Sequence, residues 1–276
     1  MAAFDVELVG KIGSMALIRR EDNEIDYNRF SKLGKELRPG IVWVSSGAVE
    51  IGRLDYMKRM GKELEGSEDD MKTDYAAQGQ AILMQNYRNF IHPSYSVRQV
   101  LVEHQHFNDV EKREHIRRLL LRCPAQNAIP IINYNDPVSA DENRKLELAH
   151  MRSNRGDNIV ECIDNDETAA VVASLVKAKT LLILTSVKGI YSDPNDESTL
   201  INEICGKDTD ELLRNVHETE RFCVGSSRQW SGGAKSKLKF AAGPLQNGTT
   251  VIIAYAGYSI RDILAGNVER TWMGVR

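Results

Sequence analysis

Residues 163–194, IDNDETAAVVASLVKAKTLLILTSVKGIYSDP, carry the clearest structural signal in the chain. Asn165 and Asp166 precede Ala169, Ala170, Ala173, Leu175 and Val176, whose helical spacing predicts a helix with a narrow, small-residue buried face. The acidic start suits the positive end of a helix dipole. Thr180 to Leu184 follows as an apolar run of strand length, and Thr185, Ser186, Gly189 and Asp193-Pro194 then form a polar turn. Helix, strand and polar loop make the α/β alternation. In open parallel sheets ligands bind beyond the carboxyl ends of the strands, which places Thr185 to Tyr191 at a ligand.

The remainder repeats this pattern. Phe4 to Leu8 alternates as a strand and runs into Lys11-Ile12-Gly13-Ser14, where small residues let backbone approach a ligand and Lys11 can meet a phosphoryl oxygen. An exposed strand-end lysine is the plain alternative. Tyr27 to Leu37 has helical spacing and stops at Pro39-Gly40. Ile41 to Val44 is a buried strand, and Ser45-Ser46-Gly47-Ala48 opens a helix whose N–H groups can face an anion; Ser46 reads equally as a plain helix cap. Met57 to Lys72 is charged and reads as a solvated connection, followed by a helix over Thr73 to Phe90 that serves packing or a subunit interface. Ser96 to Val102 is a strand, Val110 to Arg122 an amphipathic helix, and Ile129 to Ile132 a strand opening onto Asn133-Tyr134-Asn135-Asp136. There a carboxylate can pair with an ammonium, and amides can orient a carboxylate. Asp208 to Val216 is a short helix, and Thr249 to Ala254 is the last clear strand. Between them, Gly232-Gly233 precedes a helix carrying Lys237, an arrangement suited to phosphate without the spacing of a Walker A loop.

Composition narrows the function classes. The chain has 276 residues, enough for a substantial core, and a net charge of −3 with dispersed Lys and Arg, which gives no footprint for nucleic acid or an anionic membrane. No apolar run has membrane-span length and the start lacks a secretory pattern, so a cytoplasmic location is expected. The four cysteines lack a CxxC pair, and His104 and His106 have no partner cluster nearby, so neither a disulfide framework nor a protein metal site is expected.

Taken together, the 163–194 stretch, VSSGAVEIG (44–52), AAQGQAILM (76–84), IPIINYND (129–136) and GGAKSKL (232–238) resemble, in order, the signatures of glutamate 5-kinases in the amino acid kinase family. The resemblance implies a three-layer α/β/α sandwich with a mainly parallel central sheet, in one domain with its acceptor side at about 1–164 and its nucleotide side at about 165–276. It implies ATP and Mg²⁺, glutamate as acceptor, and a homo-oligomer. Catalytic roles fall on Lys11, Asp166 and Lys237, with Asp166 holding both lysines. Acceptor binding falls on Ser46, Gly47, Ala48, Asn135, Asp136 and Asn165. Nucleotide binding falls on Gly13, Ser14, Thr185, Ser186, Lys188, Gly189, Tyr191, Gly232, Gly233 and Lys237. Against the family pattern, Tyr134 replaces a Glu, Trp230 a Gly, Ala234 a Met and Ser236 a Thr, while the connection 137–164 is longer. That connection contains a decoy, Gly156-Asp157-Asn158, and is expected to be a polar flap beside the acceptor or a surface excursion. The end resembles the family's closing strand only loosely, and the PUA module of many bacterial members is expected to be missing. Two rivals stay open: a sister kinase for another acid, phosphonate or phosphate, and a non-catalytic homologue.

Overall fold

Eight strands, most of them rich in β-branched and aliphatic residues, line up in one sheet. They are β1 (Val6–Ile12), β2 (Ile41–Ser45), β3 (Ser96–Val102), β4 (Ala128–Tyr134), β5 (Ala178–Thr185), β6 (Glu203–Gly206), β7 (Thr250–Tyr255) and β8 (Arg270–Val275). The spatial order is β6-β8-β7-β5-β1-β2-β4-β3. All neighbouring pairs run parallel except β7 with β8. The computed structural model describes residues 3–19, 21–139, 141–155, 159–162, 164–193, 195–222 and 233–276.

Helices cover both faces, and alternation along the strands divides the core into two layers. Val9, Val42, Val44, Leu181, Ile183, Val251 and Ile253 belong to one layer, beneath α4 (His104–Asn108), α5 (Val110–Arg122), α7 (Asn165–Leu175), α8 (Thr209–Phe222) and α9 (Ala234–Gln246). Leu8, Ile12, Ile41, Trp43, Leu182, Leu184 and Ile252 belong to the other, beneath α1 (Tyr27–Glu36), α2 (Ala48–Met60), α3 (Glu68–Phe90) and α10 (Ile260–Ala265). Burying each large side chain contributes about 1.5–3 kcal/mol, so these layers dominate the fold's stability. Gly10 has no side chain because Trp43 fills the space; a Cβ there would lie 2.1 Å from the indole. Trp43 Nε1 donates to Tyr87 Oη at 2.9 Å, which donates to Ser45 Oγ at 2.8 Å, so the buried polar groups below the site are paired. Helices α2 and α3 meet through Gly52 and Gly79, where a Cβ would strike the Tyr75 and Ala48 carbonyl oxygens respectively.

The fold follows the expected architecture, with several local differences. The charged stretch 57–72 is not one connection: α2 reaches Met60 and α3 begins at Glu68, with Ser67 capping it. The long connection contains a helix, α6 (Asp141–Arg155), which buries Leu148 while leaving Leu146 exposed. Helix α8 runs on to Phe222, and β6, β8 and α10 add structure where the sequence offered little pattern. Among the described residues no helix is long and apolar enough to cross a membrane.

Candidate active site

The ends of β1, β2, β4 and β5 lie side by side, and the residues that follow them form one polar floor. Along β1, Gly10 faces Trp43, so its neighbour Lys11 turns to the opposite layer, over which α7 lies. Small residues Ala169, Ala170 and Ala173 let α7 settle against the sheet, which carries Asp166 down to the strand ends. There Lys11 Nζ lies 2.6 Å from Asp166 Oδ1, and Lys237 Nζ, from the first turn of α9, lies 3.0 Å from Asp166 Oδ2. Asp166 is 3% exposed and Lys11 is 6% exposed, so water screens these pairs little. Burial pushes the Asp166 carboxyl up, but the Lys11 and Lys237 ammoniums outweigh it and bring it down to about 2. The three groups together hold one net positive charge.

Asp166 does not cap its helix. That role belongs to Asp164, whose Oδ1 accepts from the N–H groups of Asp166 at 2.8 Å and Glu167 at 2.9 Å. Burial, and then the nearby Asp166 charge, raise the Asp164 carboxyl above its ordinary value. Sequence reasoning missed Asp164, although an Asp directly before the helical pattern is the usual cap signal.

Among the residues expected to bind the acceptor, Ser46 N–H donates to Ile12 O at 3.0 Å, which ties the Ser46-Gly47-Ala48 corner to the end of β1. Gly47 has φ 107°, a left-handed conformation that glycine adopts without strain, and Leu17 already stands 3.1 Å from where its Cβ would be. Asn165 Oδ1 accepts from Tyr134 N–H at 3.3 Å, and Asn165 Nδ2 donates to Asn133 Oδ1 at 3.1 Å. Asn133, which the sequence reading named only as part of the strand-end motif, is buried with its Nδ2 unpartnered among the described residues. Asn135 and Asp136 follow directly, with Asn135 N–H bonded to Val102 O at 2.9 Å and Asp136 opening a short 3-10 turn. Tyr134 points away from these groups: it is buried, with its hydroxyl 2.8 Å from Ser139 Oγ and 3.3 Å from His104 Nδ1. His104 Nε2 in turn faces Glu147 Oε2 of α6 at 3.0 Å, and desolvation outweighs that carboxylate to lower the imidazole's pKa.

Among the residues expected to bind the nucleotide, Gly13 N–H bonds Leu184 O at 3.1 Å, with Ser14 starting the next turn. Thr185 ends β5, its Oγ1 accepting from Val187 N–H at 3.4 Å across Ser186. Lys188 stands further out, paired with Glu269 at 2.8 Å and Glu197 at 3.5 Å. Gly189 packs on Thr271, and Tyr191 pairs with Leu200 in a two-strand ribbon. Gly233 precedes α9, whereas Gly232 and Trp230 lie outside the described residues.

The helix starts discriminate sharply. Asp26, Ser67, Asp109, Asp164, Asp208 and Ser259 each place a side-chain oxygen on the first N–H groups of α1, α3, α5, α7, α8 and α10. The 13-residue helices α2 and α9 instead start at Gly47 and Gly233 with no side-chain cap among the described residues. Their N–H donors, the buried Asn133 Nδ2 and the two lysines suit anionic groups, and so fit phosphate and carboxylate. No group of three or more metal-ligating side chains occurs among the described residues.

Fold and site thus define a class: a three-layer α/β protein with two lysines sharing a buried carboxylate at its strand ends. The chain belongs to the amino acid kinase family, whose description matches residues 7–255. It is 33% identical over 258 residues to a glutamate 5-kinase of Dehalococcoides mccartyi strain CBDB1, covering 90% of this chain and 62% of that protein's length. It is 32% identical to the Clostridium perfringens glutamate 5-kinase, covering 88% of this chain and 81% of the relative. Carbamate kinase from Giardia shares the fold with a TM-score of 0.61 at 14% identity, over 98% of this chain and 99% of the other. UMP kinase from Ureaplasma parvum does so with a TM-score of 0.55 at 12% identity, over 98% and 99%.

Proposed function

We propose that this protein transfers the γ-phosphoryl group of ATP to the side-chain carboxylate of glutamate, giving an acyl phosphate and ADP. The observation that carries the reading is the buried Asp166 carboxylate shared by Lys11 and Lys237. A carboxylate oxygen forms the new bond to phosphorus as the bond to the ADP oxygen breaks, so no protein nucleophile is needed. The protein's task is positioning and charge compensation. Lys11 and Lys237 approach the transferring group from two elements, and Asp166 keeps both fixed so that little reorganisation is required. The α2 start, Asn133 and Asn165 orient the acceptor, while Gly13, Thr185 and the α9 start receive the nucleotide phosphates. The acceptor side then falls in residues 1–164 and the nucleotide side in 165–276. Mg²⁺, when bound with ATP, would neutralise phosphate charge; because both Asp166 oxygens face lysines, it would sit mainly on phosphates and water.

A second reading, a sister kinase for another small acid, is favoured by Tyr134, whose buried side chain offers the acceptor no carboxylate. Both readings are tested by ATP consumption with glutamate, aspartate, N-acetylglutamate and small phosphates. The first expects turnover with glutamate above all others, and the second with a different acceptor. A homologue without catalysis would turn over none. The first outcome would also place the protein in proline biosynthesis, as the resemblance to glutamate 5-kinases implies, and a cytoplasmic location and a homo-oligomer belong to the same proposed reading.

A further inference from the structure

Glu103 is the first residue beyond β3, and both of its carboxylate oxygens are engaged. Oε1 accepts from Asn135 Nδ2 at 2.9 Å and Oε2 accepts from Gln105 Nε2 at 2.8 Å. Its own N–H donates to His106 Nδ1 at 2.9 Å, so the residue is held from the backbone as well. The next residue, His104, grips the neighbouring Tyr134 hydroxyl, so two consecutive residues after β3 hold two consecutive residues at the end of β4. An ionised carboxylate can only accept hydrogen bonds. Asn135 can therefore meet Glu103 only through its NH₂ end, which turns its carbonyl oxygen away. No described residue donates to that oxygen, and Asn135 directly precedes Asp136 at the strand end.

We propose that Glu103 is a positioning residue that fixes the Asn135 amide with its oxygen as an acceptor for the substrate's ammonium group, beside Asp136. The proposal rests on the glutamate-kinase reading and refines it. The expectation from sequence was that amides here orient a carboxylate, whereas the Glu103 contact makes Asn135 a reader of the amine. A neutral Gln at 103 removes the constraint, because its own amide can donate to Asn135 Oδ1 and turn the Asn135 NH₂ toward the ammonium.

The test compares binding of glutamate with that of glutarate, which lacks the amine, by calorimetry on wild type, Glu103→Gln, Asn135→Ala and the double variant. Glutamate turnover and thermal melting are measured alongside. Loss of one charge-assisted hydrogen bond predicts glutamate affinity about tenfold or more weaker in Glu103→Gln, with glutarate affinity unchanged. The double variant should be no weaker for glutamate than Asn135→Ala alone, a result that general loosening of the fold would not give. Should Glu103→Gln fail to fold, Asn135→Ala must still lose the preference for glutamate over glutarate. Equal losses on both ligands, an unchanged ratio, or additive losses in the double variant overturn the proposal alone. Wild type that binds glutamate without phosphorylating it overturns the kinase reading but still permits the affinity comparison. Wild type that binds no glutamate overturns both.

Discussion

The helices that meet at the Asp166–Lys237 contact begin in opposite ways. Helix α7 is closed by the Asp164 carboxylate on the Asp166 and Glu167 N–H groups, whereas α9 starts at Gly233, which has no side chain to cap it, and no described residue caps it instead. The satisfied start makes α7 a rigid mount for a charge. A start without a side-chain cap among the described residues leaves α9 able to receive an anion beside Lys237. Acidic residues two positions apart thereby separate two tasks, with Asp164 serving the helix and Asp166 the lysines.

The largest effect should come from the charges. Lys11→Ala and Lys237→Ala should each lower kcat by roughly 100-fold or more, the size typical of losing one pre-organised charge at the reacting group. Both variants should remain folded, because each lysine sits at the end of an element rather than within the apolar layers. Steady-state kinetics with a melting curve would separate this from a loss of fold.

An intermediate effect is expected from the cap. Asp164→Ala should cost about 1 kcal/mol of stability, and Asp164→Asn little, since asparagine also caps. Chemical denaturation measures both, and loss of turnover in Asp164→Asn comparable to the lysine variants would erase the distinction between the two acids.

The smallest effect should come from α6. Glu147→Ala removes the contact with His104 and should raise KM for the acceptor several-fold, leaving KM for ATP nearly unchanged, because His104 bears on Tyr134 and not on the α9 start. Equal changes in both constants would separate α6 from the acceptor site.

The difference between α7 and α6 also explains what could be read from sequence. The β5 and α7 segments were legible because apolar runs of characteristic period are bounded by turn residues. The pairing of Asp166 with the two lysines came from resemblance, as these residues are far apart in the chain. Helix α6 carries few apolar residues, and its anchorage depends on Glu147 meeting a histidine 43 positions earlier, which no local pattern reveals. Strand β6 is a four-residue edge with Ile204 as its one buried large aliphatic residue, and its order depends on pairing with β8. Glu103 escaped notice for the same reason: its contact with Asn135 spans two neighbouring strand ends.

The central claim is that Asp166 organises catalysis, and Asp166→Asn tests it most directly when acyl phosphate formation and unfolding are measured together. Asp166 is held at about 2 in the folded chain against an ordinary 3.8, so its charge stabilises the fold above that ordinary value. That contribution is lost as pH falls from about 4 toward 2. The variant should lose kcat by about 100-fold or more, keep the helix cap that Asp164 provides, and show a smaller fall in stability across that acid window. Near wild-type kcat in a folded Asp166→Asn protein would contradict the account.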